Sequence, residues 1–516
     1  MFCLFLIVLA AVPLLYPPIA PLIDLPNHMG RYAVQLDLPR SPALQQWFGF
    51  DWLLIGNLGV DLLVEVLAPA FGLEGAVKLS VMLIPVLTVA GFLWTAQEVH
   101  GRIPATAGLA VPLAYSYPFQ FGFVNYCLAM AIAFLGYALA LRLTRLERPL
   151  LRNLVLLAAG FLAWIAHAYG WAMLGLLWFV TAVVRNRSQS GAKALGTAVL
   201  WCLPLAVPLL PMLLWRSGNP VGIDGWLALG GKIVWLATIL RDRWMTLDLA
   251  SAGVLYGALA AAFFWRARFS FAPALLTAGL ALVVVAMILP ATIFGSAFAD
   301  VRLIPYAVAT LLLGITLRPP VNQRFAKIVA VLVLGFVLVR TAASTASLAI
   351  YSRSYTAELE ALDYLPAGSR VAAFSEDACG SPWYDHRLRH LANLAIGRKH
   401  AFVNGLFVTD GWNALRVTYR EAASYTGFPS SMASPGAGCD WALPTVRDRV
   451  ASLPRKAFDY VWLLQVPEER RPEVSWLTRA WSNSGSILYR ITPDPVSTAP
   501  APTRLQASDP ANGQEP

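Results

Sequence analysis

Apolar stretches long enough to cross a bilayer recur from Met1 to about Ile350, and a mostly polar segment follows them. The first run, Met1 to Leu22, ends almost at once in Asp24-Leu25-Pro26-Asn27-His28, so a carboxylate and an imidazole stand where lipid stops. One stretch breaks the pattern. Asn57, Asp61 and Glu65 interrupt Trp52 to Ala70, which reads as a surface or partly buried helix and not as a clean span. From Tyr351 to Pro493 the pattern is that of a small α/β domain. Ser369 to Phe374, Asp459 to Gln465 and Ser486 to Ile491 have strand composition, and Arg387 to Ile396 reads as a helix. Beyond Pro493 the chain is rich in Pro, Ala, Thr and Ser, a composition that predicts a disordered tail. The expected division is residues 1–350 as a membrane domain with 21–52 as its first external loop, 351–493 as an α/β domain, and 494–516 as the tail.

Composition narrows the class. Of 516 residues, 58% are hydrophobic and only 13% charged, and the mean hydropathy is +0.59; a soluble globular protein is excluded. The net charge of +10 sits mostly in short clusters between apolar runs, which reads as topology and not as a nucleic-acid surface. Arg142, Arg145, Arg148 and Arg152 form one cluster, Arg185, Arg187 and Lys193 another, Arg266 and Arg268 a third, and Arg318, Arg324 and Lys327 a fourth. All are expected in the cytoplasm. Leu154 to Val184 must then leave and return, turning near His167-Ala168-Tyr169-Gly170. The fold class is an α-helical polytopic membrane protein of about eleven transmembrane helices, with its N-terminus cytoplasmic and a small C-terminal α/β domain outside. The basic loop around Lys232, Arg241 and Arg243 comes out external, against the charge rule. The first segment lacks a charged start and a small-residue cleavage site, so it reads as a retained helix, a cleaved signal peptide being the weaker alternative. None of the cysteines, Cys3, Cys127, Cys202, Cys379 and Cys439, has metal-type spacing; Cys379 and Cys439 could pair in an oxidising compartment.

This topology gathers the unusual chemistry on the external side: the Asp24 motif, Pro118 to Tyr126, His167, Trp226 to Trp244, Ala299-Asp300-Val301-Arg302, and the α/β domain. Asp24 has two readings. It caps a short helix with Pro26 in the first turn, or it is a partly desolvated carboxylate that acts as a general base toward a hydroxyl. A divalent cation at Asp24 is a further option, with few other ligands in the loop to support it. In a helix beginning near Pro26, His28, Arg31 and Tyr32 share a face. Arg302 either snorkels to the interface or clamps a phosphate with its planar fork, and Asp300 could simply pair with it. Arg241 and Arg243, near Trp235 and Trp244, are either interface anchors or headgroup contacts. His167 is either a packing residue or a member of the same site.

These residues resemble a known family. A first span followed by an external acidic motif, a long first loop with surface helices, about a dozen spans and an external C-terminal domain is similar to the GT-C superfamily of membrane glycosyltransferases. Within it, Asp24-Leu25-Pro26-Asn27-His28-Met29-Gly30-Arg31 is similar to a D-x-P-N-H-x-x-R pattern of bacterial members. The resemblance implies a bacterial inner-membrane enzyme that moves a sugar, with inversion, from a polyprenyl-phosphate donor to a glycan, lipid or protein acceptor outside the cytoplasm. It implies Asp24 as the base, with His28 beside it, and Arg302 as the ligand of the donor phosphate. Asn27, Arg31, Tyr32, His167, Arg241, Arg243 and Asp300 are the remaining candidates for substrate contact, and no metal set is expected. The competing reading is a transporter or binding protein for a lipid-linked or small polar substrate. That reading calls for charges near the midplane and two similar halves, which the sequence does not display. A scaffold with Asp24 as a cap is the third.

Overall fold

The computed structural model describes residues 2–214, 226, 229–293, 298–376, 383, 387–408, 414–436 and 443–492. Cys379, Cys439 and the expected tail lie outside the described residues. Among the described residues, six helices are long and apolar enough to cross a membrane: Gly59–His100, Val124–Arg145, Pro149–Ala166, Ala168–Arg185, Met245–Phe264, and one starting at Gln323. Shorter apolar helices are Cys3–Leu15, Gly191–Ala206 and Pro273–Ile288. Ala299–Leu313 is a helix buried along its whole length. The chain is thus a helical integral membrane protein carrying a small sheet domain.

The return expected inside Leu154 to Val184 is real and wider than its apolar core. His167 adopts extended dihedrals and divides two helices of 18 residues, Pro149–Ala166 and Ala168–Arg185. At 1.5 Å per residue each is about 27 Å long, close to the hydrocarbon thickness. Arg152 and Arg185 are wound into the helix ends, so the pair extends beyond the apolar run from Leu154 to Val184. Basic residues gather at one end of the bundle. Arg145 and Arg142 pair with Glu98 near the end of Gly59–His100, at 2.8 and 3.5 Å. His100 Nε2 lies 2.8 Å from Leu313 O. The strand Phe269–Phe271 pairs antiparallel with Ile315–Leu317, and the Arg318 N–H donates to Arg268 O.

The ambiguous Trp52 to Ala70 stretch becomes an irregular segment and then the first limb of Gly59–His100, bent at Gly72. Gly72 has φ 68°, a conformation that favours glycine. Asp61 on this limb bonds Arg31, and Glu65 accepts from Gln35, so these two polar positions face the Leu25–Asp37 helix, while Asn57 accepts from Asn125 of Val124–Arg145.

The last long helix, Gln323–Leu359, runs through the boundary expected at 350. Val333, Val337, Arg340, Ser344, Ser347, Ser352, Tyr355 and Glu358 are its buried face, at helical spacing throughout. Its lower half is polar because it packs on polar neighbours: Ser347 donates to Asp242, and Tyr355 Oη to Leu22 O and Arg387 O.

The expected strands form as Arg370–Glu376, Tyr460–Leu464 and Ile487–Ile491. Arg370–Glu376 runs parallel to Phe402–Val403, Met432–Ala433 and Tyr460–Leu464. Ile487–Ile491 is antiparallel to Tyr460–Leu464 and to Leu477–Ser482. The helix expected over Arg387 to Ile396 forms only from Leu394–Lys399, preceded by turns. Tyr355 takes the Arg387 carbonyl at 2.7 Å, so a tertiary partner occupies a group that a helix would use. The first loop is woven into this domain, since Phe48–Phe50 pairs antiparallel with Leu415–Val417.

With native cysteines removed, Ser484→Cys should react with a membrane-impermeant thiol reagent in intact cells, whereas Ser188→Cys should react only after permeabilisation. Labelling of both from the same side would reverse this topology.

Candidate functional site

Asp24 stands at the N-cap position of the Leu25–Asp37 helix with Pro in the first turn, yet its side chain makes no capping hydrogen bond. The cap reading fails. The segment is held through its backbone instead, Ile23 and Asp24 donating to Gln120 O and Phe121 O at 3.4 and 2.9 Å. Gly122, at φ 101°, allows this approach: a Cβ there would lie 2.9 Å from the Asp24 nitrogen.

Groups from two distant parts of the chain surround the carboxylate. Arg302, from Ala299–Leu313, and Arg389, from the C-terminal domain, both act on it electrostatically. The His390 Nε2 stands 3.7 Å from its Oδ1. Burial is the dominant influence and pushes Asp24 up to about 7, against the opposing pull of Arg389 and then Arg302.

Arg302 is buried, its guanidinium 4.1 Å from the Phe123 ring centre and its Nη1 3.3 Å from His167 Nε2. A snorkelling role does not fit a guanidinium packed among aromatics below the surface. Asp300 does not pair with it; its carboxylate lies 3.3 Å from the buried Lys232, which also donates to Ala286 O and Leu289 O. Val301 and Ile23 join Tyr117 and Phe121 in a small apolar cluster that locks the two ends together.

The other candidates lie elsewhere. Arg31 forms a buried ion pair with Asp61 at 2.8 Å, with the fully buried Tyr32 beside it, so both serve helix packing. His28 packs its ring against Tyr32 and Phe407 and makes no hydrogen bond among the described residues. Burial and Arg31 push it down to about 3, so it is neutral at ordinary pH. The imidazole beside Asp24 is therefore His390 and not His28. Asn27 turns toward the C-terminal domain, with Nδ2 donating to Gly405 O at 2.7 Å and Oδ1 accepting from the Phe407 N–H at 3.0 Å. Arg241 is buried against Tyr117, its Nη1 donating to that hydroxyl at 3.1 Å. Arg243 is exposed and lies over Tyr351. Asp24, His167 and Arg302 thus come together, while Arg31, Tyr32, Arg241, Arg243 and Asp300 are engaged in packing and pairing.

Arg389 and His390 are not among the candidates that the sequence singles out. Their signal is the run Arg387-Leu388-Arg389-His390, three ionisable groups in four residues, at the start of the expected helix. A divalent cation does not fit at Asp24, because its charged neighbours are guanidinium groups; among the described residues no three His, Cys, Asp or Glu gather as a metal set.

No family model matches this chain, and no curated protein does. It is similar to the crystal structure of ArnT from Cupriavidus metallidurans bound to undecaprenyl phosphate, at 12% identity over 95% of this chain and 97% of that one, with a TM-score of 0.47. The apo structure of the same protein gives 13% identity over 94% and 96%, with the same TM-score. A likeness of that degree decides no chemistry.

Linkage fixes how Asp24 affects stability. Its carboxyl titrates near 3.8 when unfolded and near 7 when folded, so stability falls as pH rises through that interval and is level above it. Asp24→Asn mimics the protonated form. It should raise thermal stability at pH 8 by an amount on the order of a few kcal/mol, and by little near pH 4, in detergent-solubilised protein. An equal effect at both pH values would contradict the burial account.

Proposed function

We propose that this protein is a membrane glycosyltransferase of GT-C type, moving a sugar from a polyprenyl-phosphate donor to an acceptor hydroxyl outside the cytoplasm. The observation that carries the reading is a buried carboxylate, raised to about 7, facing two arginines from opposite halves of the molecule. A carboxylate so tuned can take a proton from a hydroxyl near neutral pH. Guanidinium groups at the same point suit the phosphate of a lipid-linked donor. The arrangement lies where membrane helices meet the sheet domain, so a donor can leave its lipid tail among helices and present its sugar at the junction.

In this reaction the acceptor oxygen gives its proton to Asp24 and forms a new bond to the anomeric carbon. The bond from that carbon to the donor oxygen breaks on the opposite face, and its electron pair leaves with the polyprenyl phosphate. Arg302, with Arg389, neutralises the phosphate as it departs. Asp24 returns the proton to solvent. The configuration at the anomeric carbon inverts, and no covalent intermediate is required.

Asp24→Asn should lower transfer by roughly 10²-fold or more while folded protein persists. In the parent, kcat/KM should rise with pH and level off above about pH 7, as the base ionises. Parental activity in Asp24→Asn would remove the base.

Arg302→Lys keeps the charge but loses the planar fork and its packing over Phe123. An increased apparent KM for the lipid-phosphate sugar is expected, in protein whose thermal stability matches the parent, and Arg302→Ala should nearly abolish transfer. Unchanged kinetics with lysine across donor concentrations would take the phosphate away from Arg302.

A further inference from the structure

We infer that His390 of the C-terminal domain is a positioning residue for Asp24: Asn27 holds its imidazole in the form whose Nε2 bears the proton, and that N–H is aimed at the Asp24 carboxylate. The inference rests on the proposed role of Asp24 as a base but adds a residue outside the motif and outside the membrane domain.

The argument begins with Asn27. Its amide orientation is fixed at both ends, because Nδ2 faces an obligatory acceptor, Gly405 O, at 2.7 Å, and Oδ1 faces an obligatory donor, the Phe407 N–H, at 3.0 Å. A flipped amide would set carbonyl against carbonyl and N–H against N–H. Nδ2 has a second hydrogen, and His390 Nδ1 lies 3.4 Å away. Facing a donor, Nδ1 must accept. A neutral imidazole that accepts at Nδ1 carries its hydrogen at Nε2.

The ring is neutral. Burial, followed by the nearby Arg389 and His28, holds His390 well below the ordinary histidine range. Its plane is set by Phe407 and Phe428, with ring centres 5.0 and 5.4 Å away. Nε2 then stands 3.7 Å from Asp24 Oδ1. That gap is longer than a hydrogen bond, and such contacts commonly tighten when substrate binds. A neutral donor here favours the ionised carboxylate and fixes which oxygen stays available to the acceptor, without adding a charge that would compete with the donor phosphate.

The test reads Asp24 directly and does not depend on transfer. The infrared carboxyl band of Asp24, identified by its loss in Asp24→Asn, is titrated in the parent, in His390→Met and in His390→Gln. Met fills the space without a donor, while the Gln amide can still donate. Arg302, Arg389, His28 and Tyr355, the other titratable groups acting around Asp24 and His390, stay in place throughout. The midpoint should move up by about one pH unit or more in His390→Met and return toward the parent in His390→Gln. Identical midpoints in parent and His390→Met would overturn the inference, and so would equal shifts in both variants, which would mark His390 as packing alone. If His390→Met does not fold, His390→Leu replaces it. Leucine also lacks a donor and adds no charge near Asp24, so the band should again shift up, and an unmoved band counts against the inference. Sugar transfer is assayed separately. Shifts without transfer in the parent would sink the proposed function and leave the His390 assignment standing; transfer without shifts would do the reverse.

Discussion

One buried guanidinium joins the two halves of this molecule. Arg387 donates to Pro21 O at 2.7 Å, to Gln120 Oε1 at 3.1 Å and to Asp242 Oδ1 at 2.9 Å. Asp242 also accepts from Ser347, and its N–H donates to Asp248, whose carboxylate is shared by Arg340 and Trp383. A charge this deep is tolerable only with its partners complete, and removing one member of such a pair typically costs about 3–5 kcal/mol. The positions it fixes are close to the chemistry in sequence. Pro21 precedes Asp24 by three residues, Gln120 precedes Gly122 by two, and Arg387 itself precedes Arg389 by two. Held at one point, these three chain segments can vary little in their mutual distances.

That rigidity gives Asp24 its character. Burial alone would leave a carboxyl protonated well above neutrality, and close guanidinium contact alone would leave it permanently ionised. Here the pull of Arg389 and Arg302 offsets desolvation only in part. Asp61, also buried, is bound directly by Arg31 and Asn125 and is consumed by structure. Two buried carboxylates on different helices thus have different surroundings: Arg31 and Asn125 bind Asp61, while Arg389 and Arg302 act on Asp24 against its desolvation.

Much of the fold was legible because hydropathy and basic clusters report lipid directly. The turn at His167 and the strands at Arg370–Glu376, Tyr460–Leu464 and Ile487–Ile491 follow from local pattern. The end of the last helix is not legible, because hydropathy drops while the helix continues, Ser344, Ser347, Ser352 and Tyr355 only exchanging lipid for polar partners along the same face. In the site, Asp24 and Arg302 stood out as ionisable groups beside apolar runs. His390 did not, since its role depends on Asn27, 363 positions away. The D-x-P-N-H motif pointed to the wrong imidazole for the same reason. Spacing along a helix puts His28 near Asp24 in sequence, but the helix turns that ring toward Tyr32 and Phe407.

The pairing of Phe48–Phe50 with Leu415–Val417 has a consequence for how the protein is made. The first loop leaves the ribosome early, while Arg387, His390, Gly405 and Leu415 are still hundreds of residues from synthesis. At about 5–20 residues per second that interval is on the order of tens of seconds. Through it, a strand edge, the Asn27 amide and the Asp24 carboxylate have no partners from the later chain. The nascent helices are already in the bilayer during this time, yet the site does not exist. A ribosome that stalls before the sheet domain leaves a membrane-embedded chain in which the Asp24 motif is complete in sequence but lacks every contact from Arg387 onward.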